Sequence, residues 1–350
     1  MTTSPLPKID RTISKSRILL ISVLFYGVIL PLDWLLTRLG LQSVLVSLMT
    51  RASSARRMEK VFEGYEPTAT DVFVATFAKS GTNWMMQIAH QIAFRGAGDY
   101  EHIHDVISWP DFGGGRRRIS VSLSDTRVQA ASPTHLRVIK THLAARHVPW
   151  SDAARYFVVV RDPKEILVSS YQFAAGAAGP LMPKLEVWFE LFLTPEFPLS
   201  FGSTWAEHSA GYWALRDKPN VLVLLFRDMK RDLPSAVRQV ADVMGVRLTS
   251  DEMSAVIEKS TFSYMSRIEH KFTAIPKGTL PWGGGLQMMR QGEAGNSSEM
   301  LTPEQQRRID KHFEAELARL GSDFPYAELF ATAPPTSALR RPGGAGALAS

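Results

Sequence analysis

The sequence predicts an α/β fold in which a parallel sheet is flanked by helices. Short apolar runs rich in β-branched residues alternate along the chain with stretches of helical apolar periodicity. Several of the helical stretches begin at a Ser, Thr or Pro and end at a Gly. Strands that alternate with helices in this way are typical of a parallel sheet with helices packed on its faces.

The strands are predicted from their dense apolar character. In chain order they are DVFVATFA (71–78), LRVIKTHL (136–143), RYFVVVRD (155–162) and NVLVLLFRDM (220–229). The first run leads through KSGTNW into a helical pattern at 85–96, and the third leads through Asp162 and Pro163 into another at 164–174. Three further helices are predicted at 234–246, 249–260 and 301–321, where Gly245 and Gly321 serve as stops.

The bulk composition permits a large core and narrows the function classes. Apolar residues make up 45% of the chain, and the formal net charge of +6 suits an acidic ligand or a membrane surface. No long basic block supports nucleic acid as a partner. The absence of cysteine excludes disulfides, thiolate metal sites and thiol catalysis, and it fits a reducing compartment. The nine histidines lack metal-ligand spacing, so we predict no metal.

The chain divides into three parts by composition. Residues 1–60 form a hydrophobic extension, 61–330 carry the alternating strands and helices, and 331–350 are so rich in Pro, Gly and Ala that they predict a disordered tail. No internal repeat is present.

The N-terminal extension allows several interpretations. An uncharged run at 18–30 is followed by Pro31 and Asp33, and a second apolar run at 34–49 contains Arg38. A single membrane span needs about 20 apolar residues, so it would bury Asp33 or Arg38. There are three alternatives to such a span. The segment could be a secretory signal, it could form two short helices that meet at Pro31 and dip into one leaflet, or it could form a helical pair that packs on protein. Because both flanks are basic, we favour association with the cytoplasmic face of a membrane.

The segment AKSGTNW (78–84) predicts an anion site. It follows a strand at the sheet edge where ligands bind in open parallel sheets. Gly81 permits a tight turn, the backbone N–H groups that follow point inward, and the helix adds its positive end. Lys79 supplies a cation, but it precedes the glycine, unlike the lysine of a nucleoside triphosphate loop. An ordinary helix start is the alternative.

A second cation stands at the end of the third predicted strand. Arg161 follows an apolar run directly, and Ser169 lies in the next helix. A charged side chain at the end of a buried strand is a candidate for binding an anion, and a surface ion pair is the alternative.

Taken together, these segments resemble the PAPS-dependent sulfotransferases of the cytosolic, small-molecule type, which use 3'-phosphoadenylyl sulfate (PAPS) as sulfuryl donor. AKSGTNW resembles the family's loop for the 5'-phosphosulfate, and RDPKEILVSSY resembles its 3'-phosphate motif. IKTHL (139–143) is similar to the segment with the catalytic His. The stretches at 224–246, 259–265 and 288–305 resemble later family segments in the same order. The resemblance implies a P-loop-like sulfotransferase fold and an enzyme that transfers a sulfuryl group from PAPS to a hydroxyl or amine.

The resemblance also implies a role for individual residues. His142 is the general base, Lys140 stabilises the sulfuryl oxygens, and Lys79 neutralises the leaving oxygen of PAP. Arg161 and Ser169 hold the 3'-phosphate, and Ser169 also restrains Lys79. The remaining donor-binding residues implied by the family are Ser80, Gly81, Thr82, Asn83, Trp84, Phe226, Ser260, Phe262, Arg290, Gln291 and Gly292.

The sequence departs from the family pattern in places. Phe226 stands where Tyr is frequent, and Gln291 replaces a Lys, so one cation is lost unless a residue in 116–118 compensates. Asn296 and Ser297 replace Asp and Trp. Pro303 interrupts the family's dimer segment, so the oligomeric state stays open.

The acceptor side is rich in aromatic residues. Trp109, Pro110 and Phe112 are candidate walls of the acceptor pocket, and 173–205 is either a lid over an apolar acceptor or a packed subdomain. These features favour a hydrophobic small molecule or a lipid. The alternatives are a P-loop kinase or NTPase, a non-catalytic PAP-binding membrane protein, and a lumenal enzyme with one N-terminal span. A glycan at the Asn296 sequon would block the donor loop, which favours a cytoplasmic enzyme.

Overall fold

The computed structural model describes residues 6–9, 15–41, 58–112, 119–273, 280, 283–286, 288, 298 and 300–332. Three of the candidate donor residues, Arg290, Gln291 and Gly292, lie outside these ranges. The same holds for residues 116–118, for Asn296 and Ser297, for part of the apolar extension (42–49) and for most of the predicted tail.

The sheet has four parallel strands in the order β2-β1-β3-β4. Their bounds are β1 Asp71–Ala75, β2 Arg137–Thr141, β3 Arg155–Val160 and β4 Val221–Leu225. All four strands fall within the runs that the sequence analysis selected. Every run extends past the carboxyl end of its strand, and the fourth extends furthest, because the chain leaves the strand after Leu225 and turns into a helix at Phe226. The apolar pattern ends there, and the polar residues that follow include an acid in the first helical turn.

The α-helices flank this sheet and connect its strands. Their bounds are α1 Lys15–Leu24, α2 Leu30–Arg38, α3 Thr82–Ala93, α4 Ile103–Val106, α5 Arg127–Ala131, α6 Pro163–Ala178, α7 Leu185–Phe192, α8 Trp205–Trp213, α9 Phe226–Arg231, α10 Leu233–Met244, α11 Ser250–Lys259, α12 Phe262–Arg267, α13 Pro303–Arg319 and α14 Tyr326–Phe330. Short 3-10 turns are found at Pro110–Phe112, Ala145–His147, Gly179–Leu181 and Glu269–Lys271.

Local signals in the sequence explain where several helices begin and end. Thr249 and Glu252 form a reciprocal capping box at the start of α11, and Thr302 and Gln305 form another at the start of α13. Helix α10 ends at Gly245, which adopts a left-handed φ of 72°. The predicted starts and stops of these helices are therefore confirmed.

The core lies on both faces of the sheet. In β3, Phe157 and Val159 face the cluster formed with α3 and α10, whereas Val158 and Val160 face the cluster formed with α6, α8 and α13. A strand that is buried on both faces needs apolar residues at successive positions, which explains the uninterrupted run in β3. Because both faces of the sheet are covered, the loops reach solvent at the ends of the strands.

The N-terminal extension is helical over 15–38. A π-helical turn, Phe25–Ile29, joins α1 to α2, and Pro31 lies in the first turn of α2. Proline lacks the N–H that an α-helical hydrogen bond needs, so a widened turn beside it is expected. Many apolar side chains of this helix are exposed, among them Leu19 and Trp34. Within the described residues, none of the helices combines the length and the apolar content that crossing a bilayer takes.

A buried ion pair fastens the C-terminal helices to α6. The Nζ of Lys164 donates to Asp310 Oδ1 at 2.6 Å and to the carbonyl oxygen of Phe330 at 2.5 Å. Asp310 also accepts from the hydroxyl of Tyr326 and from the N–H of Thr332, both at 2.8 Å. Burial favours the neutral acid, but these hydrogen bonds outweigh it and hold the pKa of Asp310 below its usual value. The first turn of α6 thereby gains a fixed position beside Arg161.

Replacement of Asp310 by Ala is expected to lower the free energy of unfolding by about 3–5 kcal/mol, because it removes the nearer carboxylate partner of the buried Lys164 ammonium and the acceptor of Tyr326 and Thr332. Of the carboxylate contacts of Lys164 among the described residues, only the longer one with Asp162, at 3.2 Å, then remains.

Arg308→Ala is the matched control, since it removes an exposed pair with Glu190 from the same helix and should cost no more than about 1 kcal/mol. Urea unfolding of both variants measures the difference. Equal losses would contradict the argument.

Candidate active site

The carboxyl ends of the four parallel strands bring most of the candidate residues to one edge of the sheet. Lys79 follows β1, His142 follows β2, Arg161 follows β3 and Phe226 follows β4. These positions come from distant parts of the sequence, and the parallel strand order places them side by side. The site is therefore built from four loops on one rigid scaffold.

The loop between β1 and α3 is a tight turn that ends at a helix N-terminus. Lys79 has a φ of 68° and Gly81 has a φ of 101°. A Cβ atom on Gly81 would lie 2.9 Å from the Cδ2 atom of Phe226, so the loop packs against that ring only because glycine stands here. The hydroxyls of Thr76 and Thr82 are 2.6 Å apart and tie the two ends of the turn together.

This loop also has unused hydrogen-bonding capacity. The Oγ atom of Ser80 is buried and has no hydrogen-bond partner among the described residues. The free N–H groups of the first turn of α3 and its positive end lie in the same place. Buried hydroxyls are normally satisfied, so the loop fits an anionic group that accepts from Ser80.

Lys79 is a half-buried cation that lies against an aromatic ring. Its Nζ atom lies 4.1 Å from the centre of the Phe173 ring. Burial, together with the nearby charge of Arg161, lowers the pKa of Lys79 to about 8, and the charge of Glu269 opposes that shift. The positive charge of Lys79 is therefore only partly balanced by nearby negative charge. Such a cation is suited to stabilise negative charge that develops during a reaction.

Arg161 is held in place by several contacts. Its Nε donates to Glu165 Oε2 at 2.8 Å, and its Nη1 donates to the carbonyl oxygen of Lys79 at 3.1 Å. The guanidinium also lies over the ring of Phe226 at 4.4 Å. Arg161 thus makes an ion pair, and a bound phosphate would compete with Glu165 for it. Ser169 lies half-buried further along α6.

Aromatic candidates gather beside the guanidinium. The indole of Trp84 meets the ring of Phe226 edge-on at 5.6 Å and donates its N–H to the carbonyl oxygen of Ser260 at 2.8 Å. The Oγ of Ser260 is buried without a hydrogen-bond partner in the described part of the chain. Phe262 begins α12 and is 46% exposed. An unused hydroxyl beside aromatic faces fits a planar heterocycle with polar edges.

His142 is buried with its ring tautomer determined by one contact. The Nδ1 atom lies 2.8 Å from the carbonyl oxygen of Thr76, which can only accept, so Nδ1 carries the proton when the ring is neutral. Burial first, and then the charge of Lys140, lowers the pKa of His142 well below its usual value. The ring is neutral at physiological pH, and its Nε2 atom has a free lone pair for a proton.

Lys140 lies beside His142 on the last part of β2. Its Nζ atom is 3.1 Å from the centre of the Trp109 ring, and burial lowers its pKa to about 7. The charge of Asp111 raises this pKa and the charge of Lys79 lowers it. The three basic groups at Lys79, Lys140 and His142 thus lie near enough to influence one another.

Two acidic residues of the site were missed from the sequence. Asp111 accepts hydrogen bonds from the residues around His142, and Glu269 accepts from the N–H of Met288 at 2.6 Å while its charge acts on Lys79. For Asp111, the signal in the sequence was an acid in the otherwise apolar stretch SWPDF. Glu269 has no comparable local signal.

The segment 173–205 is a packed subdomain and not a lid. Its large side chains, including Trp188, Phe189 and Phe197, are buried against α6 and α13. Two of its residues reach the site: Phe173 lies beside Lys79, and the ring of Phe201 lies 4.7 Å from that of His142. The ring of Trp109 meets that of His142 edge-on at 5.5 Å. Aromatic rings therefore line the space in front of the base.

The described residues contain no group of three or more His, Asp or Glu side chains that could hold a metal ion.

Comparison with known proteins agrees with this architecture. A family model described as "Sulfotransferase domain" matches residues 69–321. Mouse sulfotransferase 2A1 is 31% identical over 251 residues, which cover 71% of this chain and 84% of that protein. Mouse sulfotransferase 2A6 is 29% identical over 262 residues, which cover 73% and 87% of the two chains.

Solved structures share the fold at lower identity. Retinol dehydratase in complex with androsterone and inactive cofactor PAP superposes with a TM-score of 0.56 at 20% identity, covering 77% of this chain and 86% of that one. Mouse sulfotransferase SULT7A1 complexed with PAP gives a TM-score of 0.53 at 21% identity, covering 75% and 90%.

The packing of the β1–α3 loop predicts a specific cost for a side chain at Gly81. Gly81→Ala and Gly64→Ala both place a Cβ at positive φ, which costs about 1 kcal/mol in each case. Only Gly81→Ala also meets the ring of Phe226, so it should lose about 1–3 kcal/mol more in free energy of unfolding. Urea titration compares the two variants. Equal losses would show that the loop and Phe226 do not pack as described.

Proposed function

The chain belongs to the sulfotransferase domain family and is a PAPS-dependent enzyme, and from that premise we propose that it sulfates a hydroxyl or amine of a hydrophobic small molecule or lipid by in-line transfer. The observation that carries this proposal is the hydrogen bond from His142 Nδ1 to the carbonyl oxygen of Thr76. It leaves Nε2 as the proton acceptor in a space lined by aromatic rings.

The donor would be held by the loops at the sheet edge. Ser80, Gly81, Thr82 and Asn83 would bind the 5'-phosphosulfate at the start of α3, where the unpartnered hydroxyl of Ser80 supports this assignment. Arg161 and Ser169 would bind the 3'-phosphate, together with Arg290, Gln291 and Gly292 outside the described residues. Trp84, Phe226, Ser260 and Phe262 would contact adenine, which the buried free hydroxyl of Ser260 supports.

PAPS supplies an activated sulfuryl group on a phosphate oxygen. We assign the acceptor's proton to His142 Nε2 as the acceptor oxygen or nitrogen forms its bond to sulfur. Lys140 would stabilise the equatorial sulfuryl oxygens, and Lys79 would stabilise the negative charge that the leaving phosphate gains when its bond to sulfur breaks. Lys140 is buried and Lys79 is half-buried, so their charges are screened less than they would be in water. No step assigned to these residues needs a metal.

The acceptor is proposed to be mainly apolar. Trp109 and Phe201 flank His142, and Phe173 covers Lys79, so the walls next to the reacting groups are aromatic. One fold neighbour was solved with androsterone and also with retinol. We infer an acceptor of comparable hydrophobic character.

A panel of acceptors tests the transfer reaction. We expect label from PAPS to reach phenols, sterols, fatty alcohols or a lipid extract, and none to reach free sugars. His142→Asn should lower turnover by about 10²–10⁴-fold while PAP affinity is kept, because only proton transfer is lost. His147→Ala, at a half-exposed histidine in the same region, should leave turnover unchanged. Full turnover by the His142 variant would refute its role as the base.

We further propose that the N-terminal extension attaches the catalytic unit, residues 61–330, to the cytoplasmic face of a membrane. Its exposed side chains include Leu19, Leu20, Val23 and Trp34, which present a wide apolar surface. Helix α2 contacts the turn Gly179–Leu181 directly after α6. Because α6 also carries Phe173 beside Lys79, the apolar helix adjoins the acceptor side, where a lipophilic molecule would enter.

Liposome partitioning tests the attachment. The chain that starts at Arg56 should stay in solution, while the whole chain should bind vesicles that contain anionic lipid. Leu19→Ser with Leu20→Ser in the whole chain should weaken binding, and Leu320→Ser, at an exposed leucine far along the chain, should not. Identical partitioning of the whole and the shortened chain would rule out an anchor without affecting the proposed chemistry.

A further inference from the structure

Asp111 is a buried acid that connects several parts of the site. It lies in the 3-10 turn Pro110–Phe112 and is only 4% exposed. Its Oδ1 accepts from the hydroxyl of Thr141 at 2.8 Å. Its Oδ2 accepts from the backbone N–H of His142 at 2.6 Å and from the indole N–H of Trp109 at 3.2 Å. One carboxylate therefore receives three donors from two segments of the chain.

These hydrogen bonds determine where the end of β2 lies. His142 is held on its backbone side by Asp111 and on its ring side by the carbonyl oxygen of Thr76. The same carboxylate orients Trp109, whose ring lies over the Nζ atom of Lys140 and meets the ring of His142 at its edge. The positions of both basic side chains thus depend on Asp111.

The charge of Asp111 also bears on Lys140. Burial raises the pKa of Asp111 to about 6, and its hydrogen bonds and Lys140 oppose that shift, so the acid is mostly ionised at neutral pH. Lys140, with a pKa of about 7, faces Asp111, Lys79 and His142. Asp111 is the anion whose charge raises the pKa of Lys140, so it keeps a larger fraction of this lysine protonated.

We propose that Asp111 is a positioning residue for the transfer reaction, which holds His142 and Trp109 in place and keeps Lys140 charged. This proposal rests on the function proposed above, in which His142 is the base and Lys140 stabilises the sulfuryl oxygens. A purely structural role would require the hydrogen bonds of Asp111 but not its negative charge.

Asp111→Asn keeps the size and one acceptor oxygen but loses the charge and one acceptor, so two measurements are needed to tell the two roles apart. We expect kcat to fall by about 10²-fold through misplacement of the base. KM for PAPS should stay within about twofold, because the hydrogen bonds of Asp111 within the described part of the chain go to Trp109, Thr141 and His142 and to none of the donor-binding residues.

The pH profile of kcat/KM for PAPS is the second measurement, since it reports groups of the free enzyme. In the wild type this ratio should fall as pH rises through the pKa of Lys140, about 7, and that of Lys79, about 8. Without the charge of Asp111 the pKa of Lys140 decreases, so the fall should begin at lower pH. Asp111→Glu, which keeps the charge, should restore the wild-type position of this limb.

Asp152→Asn is the matched control. Trp150 donates its indole N–H to Asp152 at 3.2 Å, the same arrangement and distance as Trp109 and Asp111, but on an exposed surface. This variant should leave kcat and the pH profile unchanged. If Asp111→Asn does not fold, Thr141→Val removes one of the three donors, and it should lower kcat with KM for PAPS unchanged.

The outcomes distinguish this proposal from the proposed function. Full activity of Asp111→Asn, or a lower kcat with an unmoved basic limb, overturns the role of Asp111 while an inactive His142→Asn still supports the base. If Asp111→Asn does not fold, full activity of Thr141→Val overturns the role of Asp111. Full activity of His142→Asn overturns both.

Discussion

The site depends on three cations that lie close together at one edge of a parallel sheet, where Lys140 is buried and Lys79 and Arg161 are half-buried. Each side chain lies against an aromatic ring, and the pairs are Lys79 with Phe173, Lys140 with Trp109, and Arg161 with Phe226. A ring face offers negative potential without adding a full charge, so it supports a cation and does not neutralise it. The positive potential is thereby kept for an anionic ligand. Desolvation by burial lowers the pKa of both Lys79 and Lys140, and the charges of Glu269 and Asp111 oppose that shift only in part.

Carboxylates limit the repulsion among these cations. Asp111 acts on Lys140, Glu165 pairs with Arg161, and the charge of Glu269 reaches Lys79. Glu165 is a local partner, four residues from Arg161, whereas Asp111 and Glu269 come from segments far along the chain from the lysines on which they act. The balance at the two lysines therefore exists only in the folded chain. Because the strands are buried on both faces, the loops cannot relax toward water without loss of core contacts, and the cations stay close together.

Sequence reasoning found the parts of the site that local patterns encode. These parts lie at the carboxyl ends of strands: the loop with Lys79 and Gly81 after β1, His142 after β2 and Arg161 after β3. Parallel strands bring such ends together regardless of how the strands are connected. Asp111 and Glu269 escaped, because their importance comes from contacts with residues far away along the chain. The segment 173–205 shows a different limit. An apolar composition is the same for a lid and for a core, and only the packing of Trp188 and its neighbours distinguishes them.

The proposed chemistry requires a neutral base beside a charged lysine, although burial lowers the pKa of both groups. His142 needs no correction, since a lower pKa keeps its Nε2 free of a proton. Lys140 does need one, because the same burial would remove its charge. Asp111 acts differently on the two residues. Its charge raises the pKa of Lys140, whereas from His142 it accepts the backbone N–H and makes no hydrogen bond to the ring. The ring instead donates to a neutral carbonyl, which fixes the tautomer without adding a charge that would favour imidazolium. A carboxylate at that position on the ring would raise the pKa of the base. Asp111 instead binds the backbone N–H of His142, so the base can stay neutral at a pH at which Lys140 is charged.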